Sequence, residues 1–504
     1  MKKFFAIIAA CICMMHVYAQ QPSFITDSID KYIEQGMKDW SIPGLAIAVI
    51  KDGKVVLMKG YGVRNLETKE PVDENTLFMI ASNSKLFTAT ALSQLEYNKK
   101  LSLDDKITKY FPDYKVYDDN TTALVTIRDM LCHHLGTKTF QGDFTFWNSG
   151  LSRSQIMYKM RYLKPSGNFR QSYGYCNSCF VTAGEVIPLV SGMPWEVYVY
   201  DSILTPLGMS NTHTLGRGME QMPNAAVAYT NTFSSVLTPL PYDDIDNMAA
   251  AGSIVSCVKD ISKWLLMQLD SGRYEGRQIL PWPVLQRTRQ MQTIINSTKS
   301  PDYPSHYTGY NLGVMQRDYN GRQVFYHTGG ADGFVTNTCF VPEENLGITI
   351  LTNNDNQSFF ELLRYQILDA YLGVPYKNRS QMLLADFNKQ RTDNLAKIDV
   401  LKARLKNNKP SLPLTAYTGK YTHTLMGEIT IAQNNNGLLI KFPDHNNLSA
   451  TLQYLDNDEW LLTYSNPAFG IFPLKFRAEN DKVVSVDVKC NDFIEFDPYT
   501  FMKE

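Results

Sequence analysis

The sequence contains no G-x-S-x-G, and its eight histidines form no H-E-x-x-H or H-x-H. The first absence argues against the nucleophile elbow of an α/β-hydrolase and the others against a short-spaced zinc site. Charge of one sign is missing too: 49 basic side chains stand against 50 acidic ones, without a basic block. Nothing there would hold a phosphate backbone, so nucleic acid is not an expected partner. Cysteine is scarce, with eight in 504 residues, and Cys11 and Cys13 fall in the N-terminal segment. The remaining Cys132, Cys176, Cys179, Cys257, Cys339 and Cys490 are too few for a disulfide scaffold. Cys176 and Cys179 form a C-x-x-C with no second pair, which favours buried thiols over a metal or redox half-site. No metal or other cofactor is expected.

What is present is an apolar content of 44% in a chain long enough for two or three domains. Residues 1–19 read as an export signal: Lys2-Lys3, an apolar stretch from Phe4 to Met15, and small residues before Gln20. An exported, periplasmic or secreted protein follows from that pattern. Ile8-Ala9-Ala10-Cys11 has the look of a lipoprotein site, but too few apolar residues precede Cys11 to make a good export signal. No later stretch approaches the length of a membrane span, so no transmembrane anchor is expected.

Residues 20–375 read as one α/β domain. Helical spacing over 28–40 leads into a hairpin turning at Asp52-Gly53. Residues 324–340 and 346–352 predict two further strands, followed by a helix ending at Gly373. A sheet is thus assembled from both ends of the domain, around a mostly helical insertion from about Asn83 to Leu265. Residues 376–411 turn polar, as in a linker that is helical over part of its length, from Asp393 to Leu405. Residues 412–504 change to a period of two, with strands at 428–431, 438–442, 460–464 and 483–488. A small barrel or sandwich is expected there, separable from the rest.

Three groups of residues carry possible chemistry. Ser82 and Lys85, at i and i+3, would be neighbours on a helix, and a partly buried lysine can take a serine proton. Ser28 with Lys31 and Ser256 with Lys259 share that spacing. Tyr175-Cys176-Asn177 supplies a phenol that could act as a phenolate base and an amide that could orient a carbonyl. Tyr229, Tyr376 and Tyr464 begin triplets of the same form. His327-Thr328-Gly329-Gly330 occurs once, at a strand end where glycines admit a substrate and an N–H can face an oxyanion.

The order and flanks of these groups resemble the class C β-lactamase and DD-peptidase family. The run from Phe78 to Thr88 is similar to its nucleophile helix, and Leu131 to Gly136 to its L-T-H-T-S-G, with His134 and Leu135 departing from it. Tyr175-Cys176-Asn177 is followed by Pro206-Leu207-Gly208-Met209, as in the family, and Asp260 fits a later helix, which makes Ser256 a decoy. The resemblance implies an antiparallel sheet flanked by helices, a helical subdomain, and an extra C-terminal barrel of lipocalin-like form. It makes Ser82 the nucleophile, with Lys85 and Tyr175 sharing proton transfer. Asn177, His327, Thr328 and Gly329 would bind substrate, and the N–H groups of Ser82 and Gly330 would form the oxyanion hole.

His327 stands where many class C β-lactamases have lysine, which points toward DD-carboxypeptidases and esterase-like members. The implied activity is an acyl-serine hydrolase of esters, D-amino-acid peptides or related small acyl compounds. Transfer of the acyl group to a hydroxyl of a polycyclic molecule is an alternative, as is true β-lactam hydrolysis. A slowly acylated sensor ranks last, because nothing after the signal would carry its message across a membrane.

Overall fold

The computed structural model describes residues 21–406, 409–435 and 437–504, so the expected export signal lies outside the described residues. Helix α1 (Ile29–Asp39) leads into the hairpin of β1 (Gly44–Lys51) and β2 (Lys54–Gly62). The helical region contains α2 (Ser84–Tyr97), the one-turn α3 (Asp143–Phe146), α4 (Asn177–Gly184) and α5 (Val258–Leu269). The sheet then continues with β3 (Thr293–Asn296), β4 (Thr308–Tyr310), β5 (Met315–Tyr319), β6 (Arg322–Ala331), β7 (Phe334–Val341) and β8 (Leu346–Thr352). Helices α6 (Phe359–Tyr371) and α7 (Arg379–Ala403) follow.

The eight strands form one antiparallel sheet in the order β2-β1-β8-β7-β6-β5-β4-β3. Leu45 faces Thr352 and Lys51 faces Leu346, so the two ends of the domain pair as expected. Both faces of the sheet are covered, which is why β1 is apolar almost throughout. Ala46, Ala48 and Ile50 pack with Ile261, Trp264 and Leu265 of α5, while Leu45, Ile47 and Val49 join Ile33, Phe359 and Leu363 of α1 and α6. The single strand expected over 324–340 is two, β6 and β7. They turn at Asp332-Gly333, where Gly333 takes φ +82°, a turn signal that the surrounding apolar run hides.

Helix α7 begins fourteen residues before the expected Asp393, because Asn378 caps it by accepting from the Gln381 N–H at 3.2 Å. Its first turn is tied to the hydrolase domain. Arg379 pairs with Asp369 at 2.6 Å inside the protein, and Ser380 accepts from the Trp40 indole at 2.8 Å.

The tail is a closed barrel of eight strands: β9 (Gly419–His423), β10 (Gly427–Asn434), β11 (Gly437–Lys441), β12 (Ser449–Tyr454), β13 (Glu459–Tyr464), β14 (Ile471–Glu479), β15 (Lys482–Val488) and β16 (Tyr499–Lys503). Pairing of Tyr421 with Lys503 closes it. The polar linker does not keep it apart from the hydrolase domain. One apolar core runs from the helical region into the barrel, with Phe144 buried about 6 Å, centroid to centroid, from the rings of Phe442, Phe469 and Tyr499. Among the described residues no helix is long and apolar enough to cross a membrane.

Candidate active site

Ser82 lies on a single 3-10 turn, Ala81–Asn83, that runs straight into α2. Three bonds hold this turn. The Ile80 N–H donates to the Ile254 carbonyl at 2.9 Å, and the Asn83 amide donates to the Ile80 carbonyl at 3.0 Å and to Thr336 of β7 at 2.9 Å. Ala81 adopts φ +48°, a left-handed conformation that L-residues seldom take, directly before the serine.

Lys85 is fully buried one turn later. Its ammonium donates to the Ala251 carbonyl at 2.7 Å, to Oδ1 of Asn177 at 2.6 Å and to Oγ of Ser82 at 3.1 Å. Burial drives its pKa down to about 7, with Asp143 opposing that fall. Near neutral pH a large share of the amine is therefore unprotonated and in reach of the serine hydroxyl.

Tyr175 is buried, with its ring centroid 4.8 Å from Nζ of Lys85. The phenolate expected here is not what this environment favours. Burial pushes the phenol well above its ordinary range, and the nearby Ser82 hydroxyl offsets only part of that. The hydroxyl has the Ser82 hydroxyl beside it and no other hydrogen-bond partner among the described residues. His133 packs against the ring at 4.3 Å and accepts from the Cys176 N–H at 3.0 Å, fixing the Tyr175-Cys176-Asn177 segment. Asn177 opens α4 and uses both ends of its amide inward: Oδ1 accepts from Lys85, and Nδ2 donates to Asp143 at 2.7 Å. One amide hydrogen remains for an acyl chain.

His327, on β6, is buried with Nε2 at 2.9 Å from the Tyr310 hydroxyl and Nδ1 at 2.6 Å from the Thr328 carbonyl. Those partners suit a neutral ring that donates from Nδ1 and accepts at Nε2. Burial, with Lys85 adding to it, lowers the histidine to about 3. Thr328 and Gly330 line the cavity beside Ser82. Gly329 is not among the residues lining that cavity: a Cβ there would fall 2.0 Å from the Ile80 carbonyl oxygen, so its lack of a side chain lets β6 approach the nucleophile turn.

The cavity over Ser82 measures about 400 Å³ and is lined by Phe140, Trp147, Tyr173 and Met315 on the hydrolase side. Asp492, Phe493 and Ile494 of the barrel loop between β15 and β16 complete it. None of these residues, nor Asp143, His133 or Tyr310, belongs to a motif that singles it out in sequence, apart from the Leu131–Gly136 segment around His133. The competing motifs lie elsewhere. Ser28 and Lys31 are exposed, Ser256 bonds Thr212 at 2.8 Å while Lys259 reaches Asn75, and the Tyr464 hydroxyl donates to Lys489 within the barrel. Among the described residues the six cysteines are buried and unpaired.

The family profile described as Beta-lactamase matches residues 29–372. The chain belongs to the β-lactamase family. A second profile, a domain of unknown function called DUF3471, matches residues 403–503 and covers the barrel. Among curated relatives, the unguisins hydrolase ungD of Aspergillus violaceofuscus is 27% identical over 80% of this chain and 76% of its own. Protein flp of Staphylococcus aureus is 26% identical over 67% of this chain and 65% of its own. The octameric penicillin-binding protein homologue of Pyrococcus abyssi shares the fold, with a TM-score of 0.60 at 22% identity, over 95% of this chain and 100% of its own. The protein is thus a member of the β-lactamase-like serine hydrolases with an additional C-terminal barrel.

Proposed function

We propose that the protein hydrolyses an ester, a D-amino-acid peptide or a related small acyl compound through an acyl-Ser82 intermediate. The observation that carries this reading is the 3.1 Å contact between Ser82 and a lysine whose pKa burial has brought to about 7. Unprotonated Lys85 accepts the hydroxyl proton as Oγ attacks the acyl carbon. The N–H groups of Ser82 and Gly330 receive the oxyanion. As the tetrahedral intermediate collapses, the leaving group departs with a proton, which the Tyr175 phenol is suited to deliver and then recover from Lys85. Water attacks the acyl-enzyme, Lys85 takes a proton from it, and Ser82 leaves with a proton restored.

A second reading, transfer to an alcohol instead of water, is favoured by one feature. The aromatic cavity is roofed by Phe493 and Ile494, a lining that suits an apolar acceptor. The name of the Aspergillus relative, a hydrolase, supports water as the acceptor. Efficient β-lactam turnover is disfavoured by the neutral His327. We also propose export, on the residue pattern of 1–19.

Intact-mass measurement after reaction with a fluorophosphonate, a β-lactam and p-nitrophenyl esters tests the central reading. One phosphonate adduct mapping to Ser82 is expected, lost in Ser82→Ala. Labelling at Ser28 or Ser256, or none at all, overturns it.

A further inference from the structure

Lys85 owes its setting to a chain of contacts that ends in the barrel. Its nearest acceptor, Oδ1 of Asn177, is held because Nδ2 of the same amide donates to Oδ2 of Asp143 at 2.7 Å. A flipped amide would present its NH2 group to the ammonium. Asp143 begins α3, a helix of four residues; its own N–H donates to the Phe140 carbonyl at 3.0 Å, while the N–H groups of Gly142 and Phe144 on either side of it need an acceptor from outside the helix. The residue before it, Gly142, takes φ +92° and has no side chain with which to cap the turn.

The cap comes from the other domain. Oε1 of Glu495, on the loop before β16, accepts the Gly142 N–H at 2.9 Å, and Oε2 accepts the Phe144 N–H at 2.9 Å. The two bonds flank Asp143 on either side. Tyr499 donates its hydroxyl between the same two oxygens, at 2.9 and 2.8 Å. Glu495 is 2% exposed, and a buried carboxyl is costly unless donors surround it. Here three donors converge on it, and two belong to the segment that carries Asp143. Burial raises Glu495 to about 7, and its charge adds to the burial that holds Asp143 above the ordinary carboxyl range.

We propose that Glu495, acting through Asp143 and Asn177, is a positioning residue for Lys85, so that the docked barrel completes the hydrolase site. The inference rests on Lys85 being the base for Ser82. With α3 pinned at both sides of Asp143, the Asn177 amide keeps its oxygen toward the lysine, and Nζ stays in line with the serine hydroxyl. Releasing the cap lets α3 move, and displacements of this order near a reacting pair cost large factors in rate.

Fluorophosphonate labelling of the full chain tests the proposal, because it reports three quantities: the fraction of protein that is finally labelled, the maximal rate constant and the half-saturating concentration. Glu495→Gln, which puts an NH2 group against one of the two N–H groups, should lower the maximal rate constant by roughly ten- to a hundredfold. The labelled fraction and the half-saturating concentration should stay near wild type. Tyr499→Phe, which keeps the carboxyl but removes its hydroxyl donor, should lose rate in the same direction and by less. Glu495→Asp should recover part of the rate. A purely structural role would instead lower the labelled fraction and leave the rate of the surviving molecules unchanged. That result, or wild-type rates in both Glu495→Gln and Tyr499→Phe, overturns the proposal. Absence of Ser82 labelling in the wild type would remove the underlying reading, and this inference with it.

Discussion

The ring of Phe493, carried by the barrel, lies so near Gly330 on β6 that a Cβ at the glycine would fall 2.7 Å from the ring. The barrel therefore touches the strand that borders the nucleophile. Phe493 is 36% exposed on its outer side, and it closes one wall of a cavity of about 400 Å³.

Removing that ring should widen the substrate range more than it alters the chemistry. Phe493→Ala is expected to raise kcat/KM for p-nitrophenyl esters of bulky acids relative to the acetate, mainly through KM. Equal effects on both esters would show that the ring does not limit the space for the acyl group.

The lysine predicts a pH profile. Its folded pKa of about 7 lies below the ordinary lysine value of 10.5, so the unprotonated base accumulates as pH rises through 7. Ser82 labelling should accelerate by at least about tenfold per unit below that point, since Glu495, raised to about 7, gains its charge in the same window, and level off above it. His327, lowered to about 3, titrates outside this window and adds no second inflection. A rate that falls between pH 6 and 8 would contradict Lys85 as the base.

Because His327 is neutral, the pocket lacks the fixed cation that a lysine would place there for a carboxylate. Uncharged p-nitrophenyl esters are expected to turn over faster than cephalosporins. His327→Lys should improve kcat/KM for carboxylate-bearing substrates, and it should move the pH midpoint of labelling downward, since a second ammonium disfavours the charged form of Lys85. Cephalosporin turnover by the wild type at the rate of its ester turnover would rule this out.

A chain ending at Asn408 would uncover Phe144 and the aromatic surface packed on it. Each large apolar side chain so exposed forfeits about 1.5–3 kcal/mol. Lower thermal stability and poor soluble yield are expected, with weak Ser82 labelling in what remains. A soluble fragment labelling at the wild-type rate would show that the polar linker does mark an independent boundary.

Ser82 and Lys85 were legible from the sequence because a helix makes neighbours of residues three apart, and their place in the ordered motifs separated them from the decoys at Ser28 and Ser256. The barrel was legible for the same kind of reason, since a period of two is a local property of each strand. The protonation of Tyr175 was not, because it depends on burial that no neighbour in sequence reveals. Nor were Asp143, Phe493 and Glu495, which carry no motif. Only the docking of the barrel brings Glu495 to the backbone of Gly142 and Phe144, more than 350 residues away along the chain, and that juxtaposition exists only when the apolar surfaces around Phe144 close on one another.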